Sequence, residues 1–254
     1  MISDLRRDLH ATGSHFRSLV TQLSKSIQRQ EKRPYLDREI GPRCVYIAAA
    51  EYSAGSPVPK VLEWLDRAVS YQFKVYEQWN SHFDSNDSPL RIAHVLAAAS
   101  FFGRTKVVAN AASGVTADIP DPPGVEALRS VVLAAFSRTP LPRVSASAMA
   151  DLKRLAKQEP ELIQLYDLHV ALSGASDEKF NAQLKRYLRE VWTGVAREYL
   201  DYLKRPKSRN FYAGQWCMLA AGMCKLRGFV PELDSKLMAY IPLELLKKSS
   251  GKRS

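Results

Sequence analysis

The apolar residues of segment 57–79 recur at helical spacing along two adjacent stripes. The first stripe consists of Val58, Val61, Leu62, Leu65, Val69, Phe73 and Tyr76, and the second consists of Trp64, Ala68, Tyr71 and Val75. One stripe is typical of a helix lying on a core, whereas two adjacent stripes indicate a helix that is covered on more than one side. The pattern therefore predicts a central helix onto which the others pack.

Similar periodicity, punctuated by Gly, Pro and Ser, predicts helices along the rest of the chain. These helices are expected over 5–33, 43–54, 88–102, 105–113, 125–138, 145–158, 160–172, 177–203, 209–227 and 231–246. Gly41 and Pro42 are expected to separate the first two helices, and Ser176 is expected to cap the longest one. Trp64 and Trp192 lie on apolar stripes and are expected in the core. Because no convincing period-2 strand occurs, we predict an all-α fold of successive helix hairpins, forming an irregular bundle or a short solenoid-like array.

The clearest linker is the segment 114–124, which contains the letters ADIPDPPG. It separates either two domains or two halves of one helical array. The composition does not change across it, which favours the second interpretation. We therefore expect one helical domain over 1–246, followed by a basic, disordered tail over 247–254.

The net charge of +11 is the strongest feature of the composition. It favours an acidic partner, which is a nucleic acid, an anionic membrane surface or an acidic protein face, although a basic surface without a partner is also compatible with it. The basic residues recur in clusters at 29–33, 185–189, 204–209 and 247–253.

The three cysteines, Cys44, Cys217 and Cys224, form an odd and small set that suits a reducing compartment, so we expect free thiols. The first ten residues carry charges where a signal peptide needs an apolar run. The longest apolar runs, 95–102 and 131–136, are too short to span a membrane. Together these features predict a cytoplasmic protein without a membrane span.

The sequence contains no GxxxxGK, GxGxxG, GxSxG, HExxH or CxxC motif. The five histidines are scattered, and His94 and His169 lie in apolar helical stretches, where a hydrogen-bonded structural role is expected. We therefore expect no catalytic residues, no cofactor and no metal. An all-α enzyme with dispersed catalytic residues remains an alternative.

The segment 204–212 is the candidate binding site. It combines cations with two aromatic side chains that could stack on a partner: Lys204, Arg205, Lys207, Arg209, Phe211 and Tyr212. The same segment is also typical of a solvated turn between two helices. No helix-turn-helix signature accompanies it.

Three segments carry a resemblance to a known family. They are AAAEYSAGSPVPKVLEWLDRAVSYQF, LAAASFFGRTKVV and WCMLAAGMCKLRGFVPELDSKLMAYIPLELL. In these segments the chain resembles the immunity protein 49 family, whose all-helical members are encoded beside toxins in bacterial polymorphic toxin systems. The resemblance covers about residues 43–246. It implies a non-enzymatic, cytoplasmic protein that binds and neutralises a cognate toxin, which in many such families is a nuclease.

The positive charge constrains the kind of toxin expected. Inhibitors of nucleases are commonly acidic mimics of nucleic acid, whereas this chain is basic. We therefore expect the toxin to present an acidic face, or a carboxylate cluster that a Lys or Arg enters. The alternative function is that of a helical-repeat protein that binds nucleic acid or acts as an adaptor.

Overall fold

The computed structural model describes residues 11–32, 40–78, 89–114, 121–174, 176–204 and 213–246, and within these residues the fold is all-α without a strand. The helices are α1 (Gly13–Gln30), α2 (Ile40–Ser53), α3 (Val58–Gln78), α4 (Pro89–Ser100), α5 (Thr105–Ser113), α6 (Pro123–Ser137), α7 (Ala146–Leu155), α8 (Glu161–Gly174), α9 (Asp177–Tyr187), α10 (Thr193–Asp201), α11 (Met218–Arg227), α12 (Ser235–Met238) and α13 (Leu243–Leu246). The predicted fold class is confirmed.

Short-range signals set several helix ends. The Ser145 hydroxyl accepts the backbone N–H of Ala148 at 3.1 Å and so caps α7. The Ser176 hydroxyl accepts the N–H of Lys179 at 3.3 Å at the start of α9, as predicted. Gly228 ends α11 with a φ of 70°, a left-handed conformation that glycine adopts at little cost. These ends follow from local chemistry alone.

The sequence prediction is wrong at the start of α2. Gly41 and Pro42 do not separate two helices, because they lie in the first turn of α2. Proline is tolerated there, since an N–H in the first turn has no acceptor within the helix.

The predicted helix over 177–203 is not regular. A π-helical turn, Leu188–Trp192, joins α9 to α10, and a 3₁₀ turn, Tyr202–Lys204, follows α10. The Thr193 hydroxyl donates to the Leu188 carbonyl at 2.8 Å, which supplies that oxygen with a side-chain partner within the wide turn. The turn carries Trp192 into the interior, where it is 5% exposed.

The helix predicted over 209–227 begins at Met218, and residues 213–217 are not helical. Gly214 has a φ of 111°, which interrupts a helix. A Cβ at this position would overlap the Ser53 hydroxyl and the Trp216 indole. Residues 209–212 lie outside the described residues.

The helix at the centre of the core is α4 rather than α3. Helix α4 packs against α2, α3, α5, α6 and α11, and its small side chains let these neighbours approach closely. On α3, Val61 and Leu65 are buried as predicted, but Trp64 is only partly buried and carries the Arg67 guanidinium over its ring. Helix α3 is therefore covered by its neighbours on one broad side, and at the edge of that side the Arg67 guanidinium lies over the Trp64 ring.

Residues before and after the 114–124 segment belong to the same buried cluster, which runs from Phe16 to Leu246. Helices α4 and α5, before the segment, pack against α6, after it. No helix of the described residues has the length and apolar character needed to cross a membrane.

Candidate functional site

The predicted binding segment is described only at its first residue. Lys204 is exposed, and its Nζ lies 2.6 Å from the Asp201 carboxylate in the same turn. Its other candidate residues lie outside the described residues: Arg205, Lys207, Arg209, Phe211 and Tyr212. The role of this segment in binding a partner stays a prediction.

A cavity of about 290 Å³ lies between α2, α4, the π-helical turn with α10, and the segment 213–218. Its volume equals that of about ten molecules of liquid water. The segment 213–218 follows the candidate segment directly in the chain, and its first residue, Ala213, lines the cavity. Four separate parts of the chain therefore build one site.

Aromatic side chains form much of the cavity wall. The ring of Tyr199 lies 5.9 Å from that of Trp192 and 6.5 Å from that of Tyr46, both in edge-to-face geometry. The Trp192 Nε1 donates to the Gln215 carbonyl at 2.9 Å. Because these rings hold one another and the indole N–H is bonded, the wall is ordered before any ligand arrives.

The 213–216 turn fixes another part of the wall. The Trp216 Nε1 donates to the Ser53 hydroxyl at 2.7 Å, and that hydroxyl donates to the Ala213 carbonyl at 2.8 Å. The Trp216 ring also packs edge-to-face on Tyr52 at 4.8 Å. This local network holds the turn against α2 and explains why Gly214 has no space for a side chain.

The polar part of the cavity wall comes from α4. Arg91 and His94 are three residues apart, so they lie on the same side of this helix. Burial lowers the pKa of His94 to about 4, so its imidazole is neutral at neutral pH, with one N–H donor and one acceptor nitrogen. No acidic side chain of the described residues lines the cavity.

His169 on α8 lies deeper in the core and is fully buried. Its Nδ1 lies 2.7 Å from the Leu165 carbonyl oxygen, so this nitrogen carries the proton, and the expected hydrogen bond is present. Burial lowers the pKa of His169 to about 4, and a charge on His94 would lower it further. The two imidazoles therefore oppose each other's protonation.

The thiols are buried and free, as predicted for Cys44, Cys217 and Cys224. Burial raises the pKa of each of them to about 12. A thiol that stays protonated is a poor nucleophile, so these side chains act as small apolar groups of the core.

A second candidate surface runs along α1. Four exposed cations occur at spacings of eight, four and three residues, and we call them the α1 basic stripe: Arg17, Lys25, Arg29 and Lys32. At 100° per residue Arg17, Lys25 and Arg29 occupy an arc of roughly 120° on one side of the helix axis, and Lys32 lies in the turn after the helix. The buried residues Phe16, Leu19 and Ile27 lie on the opposite side. The stripe therefore faces away from the core.

The acidic residues near the stripe are few. In the described segment 11–32 the one acidic residue is Glu31, and the Arg67 guanidinium binds it with a shortest distance of 2.6 Å. Arg43 on α2 donates to Ser26 at 2.8 Å and to Gln30 at 2.7 Å, which fixes α1 on its neighbour. The positive potential of the stripe is thus carried on a firmly packed helix.

No protein-family model, no curated protein and no solved structure matches this chain. The resemblance to the immunity protein 49 family therefore stays a prediction. The cavity and the α1 basic stripe are therefore the two features from which a function can be inferred.

Neither site was predicted as a binding site from the sequence, although the basic cluster at 29–33 was noted. The spacing of Arg17, Lys25 and Arg29 is visible in the sequence and could have revealed the stripe. The cavity leaves no such signal, because its wall comes from four distant segments and depends on a π-helical turn.

Proposed function

We propose that this chain is a non-enzymatic immunity protein, which binds a cognate bacterial toxin and neutralises it in a complex of fixed stoichiometry. The observation that carries the proposal is the α1 basic stripe, an exposed row of cations on a firmly packed helix and the turn that follows it, in which Glu31 is the one acidic residue. The net charge of +11 and the family resemblance support it. The expected partner surface is acidic.

The stripe acts mainly on the encounter with the toxin. Exposed cations attract an acidic face over distances of about 10 Å at moderate salt, which raises the association rate more than the final affinity. A Kd in the nanomolar range corresponds to about −12 kcal/mol and needs roughly 800 Å² of buried surface on each partner. Helix α1 has 18 residues and is therefore about 27 Å long, which is a suitable length for such a contact.

Co-expression with the toxin encoded by the neighbouring gene tests the proposal. The wild-type protein should restore growth and co-purify with the toxin, whereas the variant Lys25→Glu/Arg29→Glu should lose protection. A matched variant with two other exposed lysines reversed, Lys106→Glu/Lys157→Glu, should protect as the wild type does. A wild-type protein that neither protects nor co-purifies contradicts the proposed function.

A second set of variants separates the function from its location. If Lys25→Glu/Arg29→Glu protects fully, the α1 basic stripe is not the contact surface. Reversal of Lys204, Arg205, Lys207 and Arg209 then tests whether the segment 204–212 supplies it instead.

The same stripe favours nucleic-acid binding as a second candidate function. Four cations that replace counterions on a duplex would make the affinity fall roughly 100-fold for a fourfold rise in salt. A protein interface with an apolar centre responds far less steeply. Titration of the purified protein with a DNA duplex at two salt concentrations distinguishes the two functions.

A further inference from the structure

The cavity between α2, α4 and α10 has two chemically distinct parts. Its wall presents the rings of Tyr46, Trp192 and Tyr199, while Arg91 and His94 supply the polar groups. Binding sites for small molecules are usually concave and mostly apolar, with a few polar groups that fix the orientation of the ligand. The volume of about 290 Å³ lies near the lower end of the usual range, which suits a ligand with one or two fused rings.

The aromatic wall favours a planar ligand. Trp192 and Trp216 already donate their indole N–H groups to the protein, at 2.9 and 2.7 Å, so these side chains offer ring surface rather than hydrogen bonds. A planar ring stacks offset or edge-to-face on such surfaces and gains more than its buried area alone would provide.

The polar groups favour an anion. Arg91 lines the cavity, and its guanidinium has five N–H donors, so it can serve a ligand in addition to contacts within the chain. Charge-assisted hydrogen bonds from guanidinium to carboxylate are among the stronger polar contacts. The described residues that line the cavity include no acidic side chain, so none of them repels a ligand anion.

We propose that this cavity is a binding site for a small planar aromatic molecule that carries an anionic group, with an aromatic carboxylate as the simplest case. The rings lie among Tyr46, Trp192, Tyr199 and Trp216, and the carboxylate accepts from Arg91. The neutral imidazole of His94 offers one further donor and one acceptor. This site is separate from the α1 basic stripe, and the proposal does not depend on the toxin-neutralising function.

Calorimetric titration of the full chain with two probes tests the site. The probes are 2-naphthoate, which is planar and anionic, and 2-naphthamide, which has the same rings without the charge. The protein should bind one equivalent of 2-naphthoate with a Kd on the order of 10–100 µM and should bind 2-naphthamide at least tenfold more weakly.

Three variants test where the probe binds and whether Arg91 recognises its carboxylate. Arg91→Gln should weaken 2-naphthoate binding about tenfold and leave the affinity for 2-naphthamide unchanged. Val45→Phe, which fills the cavity, should abolish binding of both probes. Arg197→Gln, at an exposed position on α10 outside the cavity, should change neither affinity.

Circular dichroism and a thermal melt show whether each variant is folded. If either Arg91→Gln or Val45→Phe fails to fold, the other still tests the site. The absence of saturable binding to the wild type overturns the proposal. So does binding that persists in folded Val45→Phe, because the probe then lies elsewhere. Equal affinity for the two probes, or no effect of Arg91→Gln, overturns the anionic character of the ligand.

Discussion

At the residue scale, the two tryptophans predicted for the core differ in their surroundings. Trp192 is 5% exposed and hydrogen-bonded, whereas Trp64 is partly buried and covered on one face by Arg67. Trp192→Ala should therefore lower the free energy of unfolding by about 3–5 kcal/mol, and Trp64→Ala should lower it by less. Urea denaturation of both variants measures the difference. Equal losses would show that the interior position of Trp192 is wrong.

His94, which lines the cavity, and His169, which lies in the core, predict a dependence of stability on pH. In the folded chain the pKa values of both histidines are about 4, below the ordinary value of 6.5, because burial favours the neutral form. Below pH 6.5 the unfolded chain therefore binds protons that the folded chain does not. The free energy of unfolding is therefore highest above pH 6.5 as far as these histidines are concerned, and it falls as the pH drops toward 4. For His169 the loss is about 2 kcal/mol at pH 5.

Denaturation between pH 7 and pH 5 measures this effect apart from the carboxyl groups whose pKa is lowered. Burial raises the pKa of Asp167, so its contribution to stability falls as the pH rises and is opposite in sign to that of the histidines. The pKa of Asp151 is lowered by the backbone N–H of Gly124, and that of Asp234 by the N–H of Leu237, so both lose their contribution below the ordinary value of 3.8. The variant His169→Gln should show a smaller fall in stability over this range than the wild type. An unchanged fall would contradict the burial of His169 as a neutral group.

At the element scale, α4 and α11 approach each other closely in the core. A Cβ on Gly222 would overlap the backbone carbonyl of Ala97, and the Ser100 hydroxyl donates across the contact to the Gly222 carbonyl at 2.7 Å. Gly222→Ala should push the helices apart and lower the free energy of unfolding by roughly 1–3 kcal/mol or more.

Gly194 in α10 provides the matched control for this substitution. A Cβ there meets nothing within 4 Å, so Gly194→Ala should be neutral or should stabilise the protein by up to about 1 kcal/mol. If chemical denaturation finds the same small effect for both glycines, the close contact of α4 with α11 is wrong.

The elements also show how far the sequence predicts this fold. The starts of α7 and α9 are predictable because Ser145 and Ser176 act on their own neighbours. The π-helical turn and the non-helical segment 213–217 are not predictable, because distant contacts determine them. The Trp192 indole reaches Gln215, and the Trp216 indole reaches Ser53.

At the scale of the whole molecule, the residues that pack the core differ from those that carry the exposed charge. Most core residues form one cluster from Phe16 to Leu246, and a smaller second cluster lies between α1, α2 and α3, while the exposed side chains of the α1 basic stripe belong to neither. Charge reversal along the stripe should therefore leave the thermal midpoint nearly unchanged, since surface substitutions seldom alter stability by more than about 0.5 kcal/mol. A large loss of stability in Lys25→Glu/Arg29→Glu would show that the stripe belongs to the fold rather than to a binding surface.

The proposed function requires that the protein neutralise a toxin by binding and not by catalysis. Calorimetric titration of the purified toxin domain from the neighbouring gene with this protein tests this requirement. We expect saturation at a fixed molar ratio, a toxin of unchanged covalent mass, and an association rate that falls with salt and in Lys25→Glu/Arg29→Glu. The absence of a complex at micromolar concentrations, or covalent change of the toxin by far less than one equivalent of this protein, would contradict the proposed function.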